Sequence, residues 1–90
     1  MFRCRIYFWD NSFLNIHETI STELGYPVRI VYAYSYIREG QCIFRYDNAP
    51  HHPDIITYPH HKHIGEEKIS PTDQPAIYQV LNEIEGYLNN

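Results

Sequence analysis

The sequence predicts an α+β fold: a small curved antiparallel β-sheet of four to six strands with a carboxy-terminal helix packed on one face. Three observations predict it. Apolar and polar residues alternate with period two through much of residues 1–47, which puts the two sets on opposite faces of a strand. Turn residues stand at Asp10-Asn11-Ser12 and at Glu39-Gly40, where two hairpins would close. Ile77, Leu81, Ile84 and Leu88 recur at spacings of four, three and four, one apolar stripe of a helix. The 90 residues leave room for one domain. It divides into two β-hairpins over 1–47, a His- and Pro-rich loop with short strands over 48–71, and a helix over 72–88.

In the first strand Phe2, Cys4, Ile6 and Phe8 alternate with Arg3, Arg5, Tyr7 and Trp9. Pairing across the first turn sets Phe8 opposite Leu14, Ile6 opposite Ile16 and Phe2 opposite Ile20. Glu23 to Pro27 breaks the sheet, and a third strand runs from Val28 to about Arg38. The fourth runs from Gln41 to about Asp47. A two-residue turn sets Ile37 opposite Cys42, Ser35 opposite Phe44 and Ala33 opposite Tyr46, a small apolar face expected to meet the core. Tyr32, Tyr34, Tyr36, Ile43, Arg45 and Asp47 then share the other face, which reads as wet or partner-facing. Short extended pieces are expected at Ile55–Tyr58 and His61–Ile64. Asp73 is the expected N-cap of the helix, with Pro75 in its first turn and Val80 and Tyr87 widening the stripe.

Composition excludes several classes. The hydrophobic fraction of 43% excludes a disordered chain. No apolar run reaches the ~20 residues that span a bilayer, and no signal peptide opens the chain, so a cytoplasmic protein is expected. Residues 1–46 carry five basic and four acidic side chains, and residues 47–90 carry two and seven, for a net charge of −4. That balance excludes a bulk-basic nucleic-acid binder but not a small RNA site on one basic face. Cys4 and Cys42 show no CxxC spacing and read as small buried apolar residues. No Gly-rich phosphate loop and no nucleophile-elbow serine is present.

The chemistry concentrates in Asp47-Asn48-Ala49-Pro50-His51-His52-Pro53 and Pro59-His60-His61-Lys62-His63, which hold five of the six histidines. Imidazole suits proton transfer near neutral pH and is also the commonest metal ligand. A metal-free ribonuclease needs a base for the 2′-hydroxyl, an acid for the leaving oxygen and a cation for the phosphorane. His60, His61 or His63 would supply acid and base, Arg45 and Lys62 the cations, and Asp47 would orient a histidine. Tyr32, Tyr34, Tyr36, His51 and His52 would hold unpaired bases and phosphates. No residue is assigned to a metal and no cofactor is required. Zinc is the alternative: His61 and His63 point the same way on an extended chain, and Asp47 or Asp54 would complete a mixed site. The third alternative makes the histidines caps of a proline-rich turn in a non-catalytic binding module.

The run Ile43-Phe44-Arg45-Tyr46-Asp47-Asn48-Ala49-Pro50-His51-His52-Pro53, followed by Tyr58-Pro59-His60-His61-Lys62-His63-Ile64, resembles the TumE-like toxin family of bacterial toxin–antitoxin systems. The resemblance is specific over residues 28–70 and one of pattern elsewhere, and the amino terminus is short beside family members. It implies a small cytosolic toxin that inhibits growth, partnered by an antitoxin with a helix-turn-helix domain. Metal-independent cleavage of single-stranded RNA is inferred from the residues, not from the family. Nine tyrosines in so small a chain also predict a covered surface, through a homodimer at a sheet edge or an antitoxin segment over the tyrosine face.

Overall fold

A computed structural model describes residues 1–89. Six strands, β1 (Phe2–Tyr7), β2 (Phe13–Ser21), β3 (Val28–Arg38), β4 (Gln41–Asp47), β5 (His61–Ile64) and β6 (Lys68–Pro71), form one antiparallel sheet in chain order. One helix follows, α1 (Ile77–Leu88). The sheet is a meander, each strand returning beside the one before it.

The first hairpin closes over Trp9, Asp10 and Asn11, with Phe8 N–H donating to the Ser12 carbonyl at 2.9 Å and Asn11 in the left-handed region at φ 69°. Ile6 therefore faces Leu14, and Cys4 faces Ile16. The expected register is off by two residues, which changes the partners and preserves the faces. The second hairpin turns at Glu39 and Gly40, φ 51° and 75°, the two positive angles that a tight two-residue turn requires.

The pairing after that turn corrects the predicted faces. Ile37 faces Cys42 as expected, but Tyr36 then faces Phe44, so Ile43 is an extra residue in a β-bulge. Beyond the bulge every side chain of β4 is on the other face. Phe44 and Tyr46 join Tyr34 and Tyr36, whereas Arg45 pairs with Ser35 and Asp47 with Ala33. The tyrosine face is the core. Tyr32, Tyr34 and Tyr36 are buried with Leu14, Ile16 and Phe44, and Val80 and Ile84 of α1 close over them.

Tyrosines tolerate that burial because each hydroxyl finds a partner. Tyr36 Oη donates to Ser12 Oγ at 2.9 Å, Tyr34 Oη bonds Glu18 and Arg29, and Tyr32 Oη lies 2.8 Å from His60 Nδ1. Tyr46 Oη donates to Glu83 of α1 at 2.6 Å. The polarity that argued for a wet surface is absorbed at the rim of the core. Burial raises the Tyr32 hydroxyl to about 12 and raises Tyr34 as well, so both stay protonated.

Other expectations also shift. The helix begins at Ile77 rather than near 72, with Ala76 as N-cap and no side-chain cap from Asp73. Gln79 Oε1 accepts from the Ala76 N–H at 2.8 Å instead. The buried stripe centres on Val80 and Ile84, and Ile77 at its start keeps about a third of its surface in solvent. Ile55–Tyr58 forms turns, not a strand, with Ile55 N–H donating to His52 and Tyr58 N–H to Ile55. Cys4 and Cys42 are exposed free thiols rather than buried ones. Because Ile84 is fully buried and Leu81 only partly, Ile84→Ala should cost about 2–5 kcal/mol and Leu81→Ala distinctly less. Urea titration of the two variants measures this. Equal midpoints would remove Ile84 from the centre of the core.

Candidate active site

The face turned away from α1 carries the chemistry. Asp47 is paired across the strands with His61, and Arg45 with His63. These four side chains make a square on the open face, with its carboxylate only 3% exposed. Asp47 Oδ1 accepts from the Ala49 N–H at 3.0 Å and lies 2.9 Å from His61 Nε2. Asp47 Oδ2 accepts from Arg45 Nε at 2.9 Å and stands 3.6 Å from His63 Nε2. His61 Nδ1 lies 2.9 Å from the Pro59 carbonyl. Both His61 ring nitrogens thus face oxygen acceptors.

His52 comes from the loop and packs edge-on against this pair, its ring centroid 4.9 Å from that of His61 and 5.8 Å from that of His63. Ligand nitrogens of His52, His61 and His63 all lie within 4.8 Å of one another. Asp47 thus fixes Arg45 and His61, while Arg45, with 48% of its side chain exposed, and His63 face outward. A cavity of about 290 Å³ opens beside them, lined by His17, Ala33, Arg45, Asp47 and Pro50 among others.

Sequence reasoning placed some candidates elsewhere. Lys62 points to the helix side, where its Nζ donates to Glu83 Oε2 at 2.6 Å. Burial alone would lower its ammonium, but the bonds to Glu83 and Tyr46 outweigh that and raise it. His60 is on the core side against Tyr32. His51 is exposed in a turn whose N–H donates to Ala49. Tyr32, Tyr34 and Tyr36 are buried and offer no face to a base. Arg45, Asp47, His61 and His63 are brought together as expected, with His52 beside them. His17 was missed. It follows Arg3 in the same cross-strand row and precedes Ala33 and Asp47, and its buried Nε2 has no hydrogen-bond partner. Only the strand register, not the spacing in the sequence, reveals that neighbourhood.

Comparison with protein families settles the lineage. The family model described as toxin TumE matches residues 1–88. The chain belongs to the TumE toxin family. Membership implies an antitoxin partner. No curated protein matches the chain, and no solved structure does. The TumE match spans both hairpins, the histidine square and the helix, so the family pattern includes the whole fold and not the loop alone. Among the described residues no helix is long and apolar enough to cross a membrane.

Desolvation, reinforced by neighbouring cations, lowers the His63 imidazole, with the Asp47 charge opposing it. Desolvation and then Arg29 lower His60 in the same way. The folded chain therefore resists protons that the unfolded chain accepts near pH 6.5. By linkage, stability rises with pH wherever the unfolded state binds more protons. Thermal midpoints should hold above about pH 7 and fall as the pH drops through 6.5. His60→Gln should flatten the decline, and an unaltered profile in that variant would show that His60 is not held neutral.

Proposed function

We propose that this toxin is a metal-independent endoribonuclease that cuts single-stranded RNA at the Asp47, Arg45, His61 and His63 square. The observation that carries the reading is Asp47, which buries one carboxylate between a guanidinium and an imidazole while His63 stands beside it with its pKa lowered. A neutral imidazole is a competent base at pH 7. His63 takes the proton of the 2′-hydroxyl, and the 2′-oxygen attacks phosphorus. The bond from phosphorus to the 5′-oxygen breaks, and His52 supplies the proton to that oxygen. The products are a 2′,3′-cyclic phosphate and a 5′-hydroxyl. Arg45, held by Asp47, stabilises the charge that builds on the phosphorane, and the buried His61 ring holds that carboxylate in place.

A second reading is favoured by one observation, the convergence of three imidazoles. Those nitrogens, with Asp47 beside them, would hold a divalent metal such as zinc, and the Pro59 carbonyl on His61 Nδ1 is the kind of outer contact that orients a metal-binding histidine. Purified protein incubated with labelled RNA in excess chelator distinguishes the two. A cyclic-phosphate product in chelator supports the first reading. Cleavage only after zinc is restored supports the second. Growth inhibition without cleavage in either condition leaves a non-catalytic binding module. The same proposal includes cytoplasmic action, an antitoxin with a helix-turn-helix domain encoded beside this chain, and self-association through a sheet edge.

A further inference from the structure

The histidine square is one end of a longer arrangement. Read across the strands, one row of paired positions is Arg3, His17, Ala33, Asp47 and His61, and the next is Arg5, Asn15, Ser35, Arg45 and His63. Directly paired residues share a face of the sheet. Three guanidiniums and three imidazoles therefore stand together with a single carboxylate, Asp47, which Arg45 and His61 already pair. Glu18 and Glu83 lie on the other side, against Tyr34 and Tyr46. There Arg29 and Lys62 pair them, so a chain with net charge −4 still keeps three guanidiniums against one carboxylate on this face.

The middle of this strip is low, because β3 contributes only Ala33 and Ser35. Two cavities flank it. One of about 420 Å³ is lined by Arg3, Arg5, Asn15 and His17 among others, and the other is the 290 Å³ cavity beside Arg45 and Asp47. His17 lines both, and its buried Nε2 lacks a partner. Beyond Arg5 the rings of Tyr7 and Phe13 stand 5.5 Å apart, Tyr7 64% exposed, with the Arg5 guanidinium 4.5 Å from the Phe13 ring. Arg5 is held there by its Nε bond to Asn15 Oδ1 at 2.9 Å.

We infer that this face is a track for single-stranded RNA. It enters over Arg3, Arg5, Tyr7 and Phe13, passes His17 above Ala33 and Ser35, and delivers a phosphate to Arg45 and His63. The inference rests on the cleavage reading of the square and adds the substrate path that reading lacks. Four inter-strand steps from β1 to β5 span about 19 Å, or about five or six nucleotides at the 3.4 Å rise of a stacked strand. Guanidiniums meet the phosphates, and exposed rings stack on bases without sequence preference.

The test uses the full chain carrying His63→Ala, so that RNA is bound but not cut, and a labelled eight-nucleotide RNA followed by fluorescence anisotropy. Adding Arg3→Ala with Arg5→Ala should weaken binding by tenfold or more. The slope of log Kd against log salt should fall by about 1.4, two phosphate contacts at about 0.7 each. Ser35→Glu, which places a carboxylate in the trough, should also weaken binding, and Lys68→Ala on the opposite side should change neither affinity nor slope. Circular dichroism confirms that each variant is folded. Arginine-independent binding with an unchanged salt slope overturns the track, even where wild-type cleavage depends on His63. Arginine-dependent binding by a wild-type chain that cuts no RNA upholds the track and removes the cleavage reading instead. Loss of antitoxin neutralisation alone, with RNA binding intact, makes the face a protein dock and overturns the proposal.

Discussion

A folded His63→Ala protein should cut RNA about 10²–10⁴ times more slowly than the parent chain, the ordinary contribution of one acid–base group. His63 has the lowered imidazole that a base needs, and it faces Arg45 directly across β4 and β5. The pH profile carries a second signature. Activity must vanish as the base gains its proton, so the acid limb should lie below the ordinary imidazole value of about 6.5. Arg45→Ala should lower the maximum rate and move that limb only slightly upward, because Arg45 is a smaller cause of the lowered imidazole than desolvation. Single-turnover cleavage of a labelled oligonucleotide from pH 5 to 8 measures both. His63→Ala protein with undiminished turnover would strip the square of its catalytic role.

Asp47→Ala should be the most destabilising change on the open face, about 1–3 kcal/mol, because it leaves the buried His61 ring and the Ala49 N–H without their shared acceptor. Asp47 is 3% exposed and is the common acceptor for Ala49 N–H, His61 and Arg45. Arg45→Ala should cost less, about 0–1 kcal/mol, since nearly half of that side chain is in solvent. Asp47→Asn keeps the shape and the turn at Ala49 and should fall between them. Denaturant midpoints order the three variants. An Asp47→Ala midpoint equal to that of Arg45→Ala would mean the carboxylate anchors nothing.

Much of this arrangement was legible in the residues, and the failures have definite causes. Alternation and the Glu39-Gly40 turn placed β1 to β4, and the 3.6-residue stripe placed α1. The error at Ile43 was small in sequence and large in consequence. One extra residue in β4 put Phe44 and Tyr46 into the core and moved Arg45 and Asp47 to the open face. The sequence carries no mark of that bulge, because Ile43 is as apolar as its neighbours. The tyrosines were misjudged for a related reason. A hydroxyl signals exposure only if no buried partner exists, and Ser12, Glu18, Arg29 and His60 come from distant positions. The histidine square survived the error because Arg45, Asp47, His61 and His63 all alternate in step. Lys62, between two of them, necessarily faces the other way. His17 and β6 gave no local signal. The first depends on register across three strands, and the second is a four-residue strand ending in proline.

The meander order has a consequence for how the molecule is made. Every strand pairs with its immediate predecessor, so the sheet needs few contacts between distant parts of the chain, a topology that favours rapid folding for a β-rich protein. The exception is the last element. Residues 77–88 return to cover Tyr32, Tyr34, Tyr36 and Phe44. During synthesis at about 5–20 residues per second, Arg45, Asp47, His61 and His63 leave the ribosome before the helix does. A nascent chain can therefore carry the four groups of its reactive face while its greasy side is still bare. Residues 77–88 set the moment at which it ceases to be sticky.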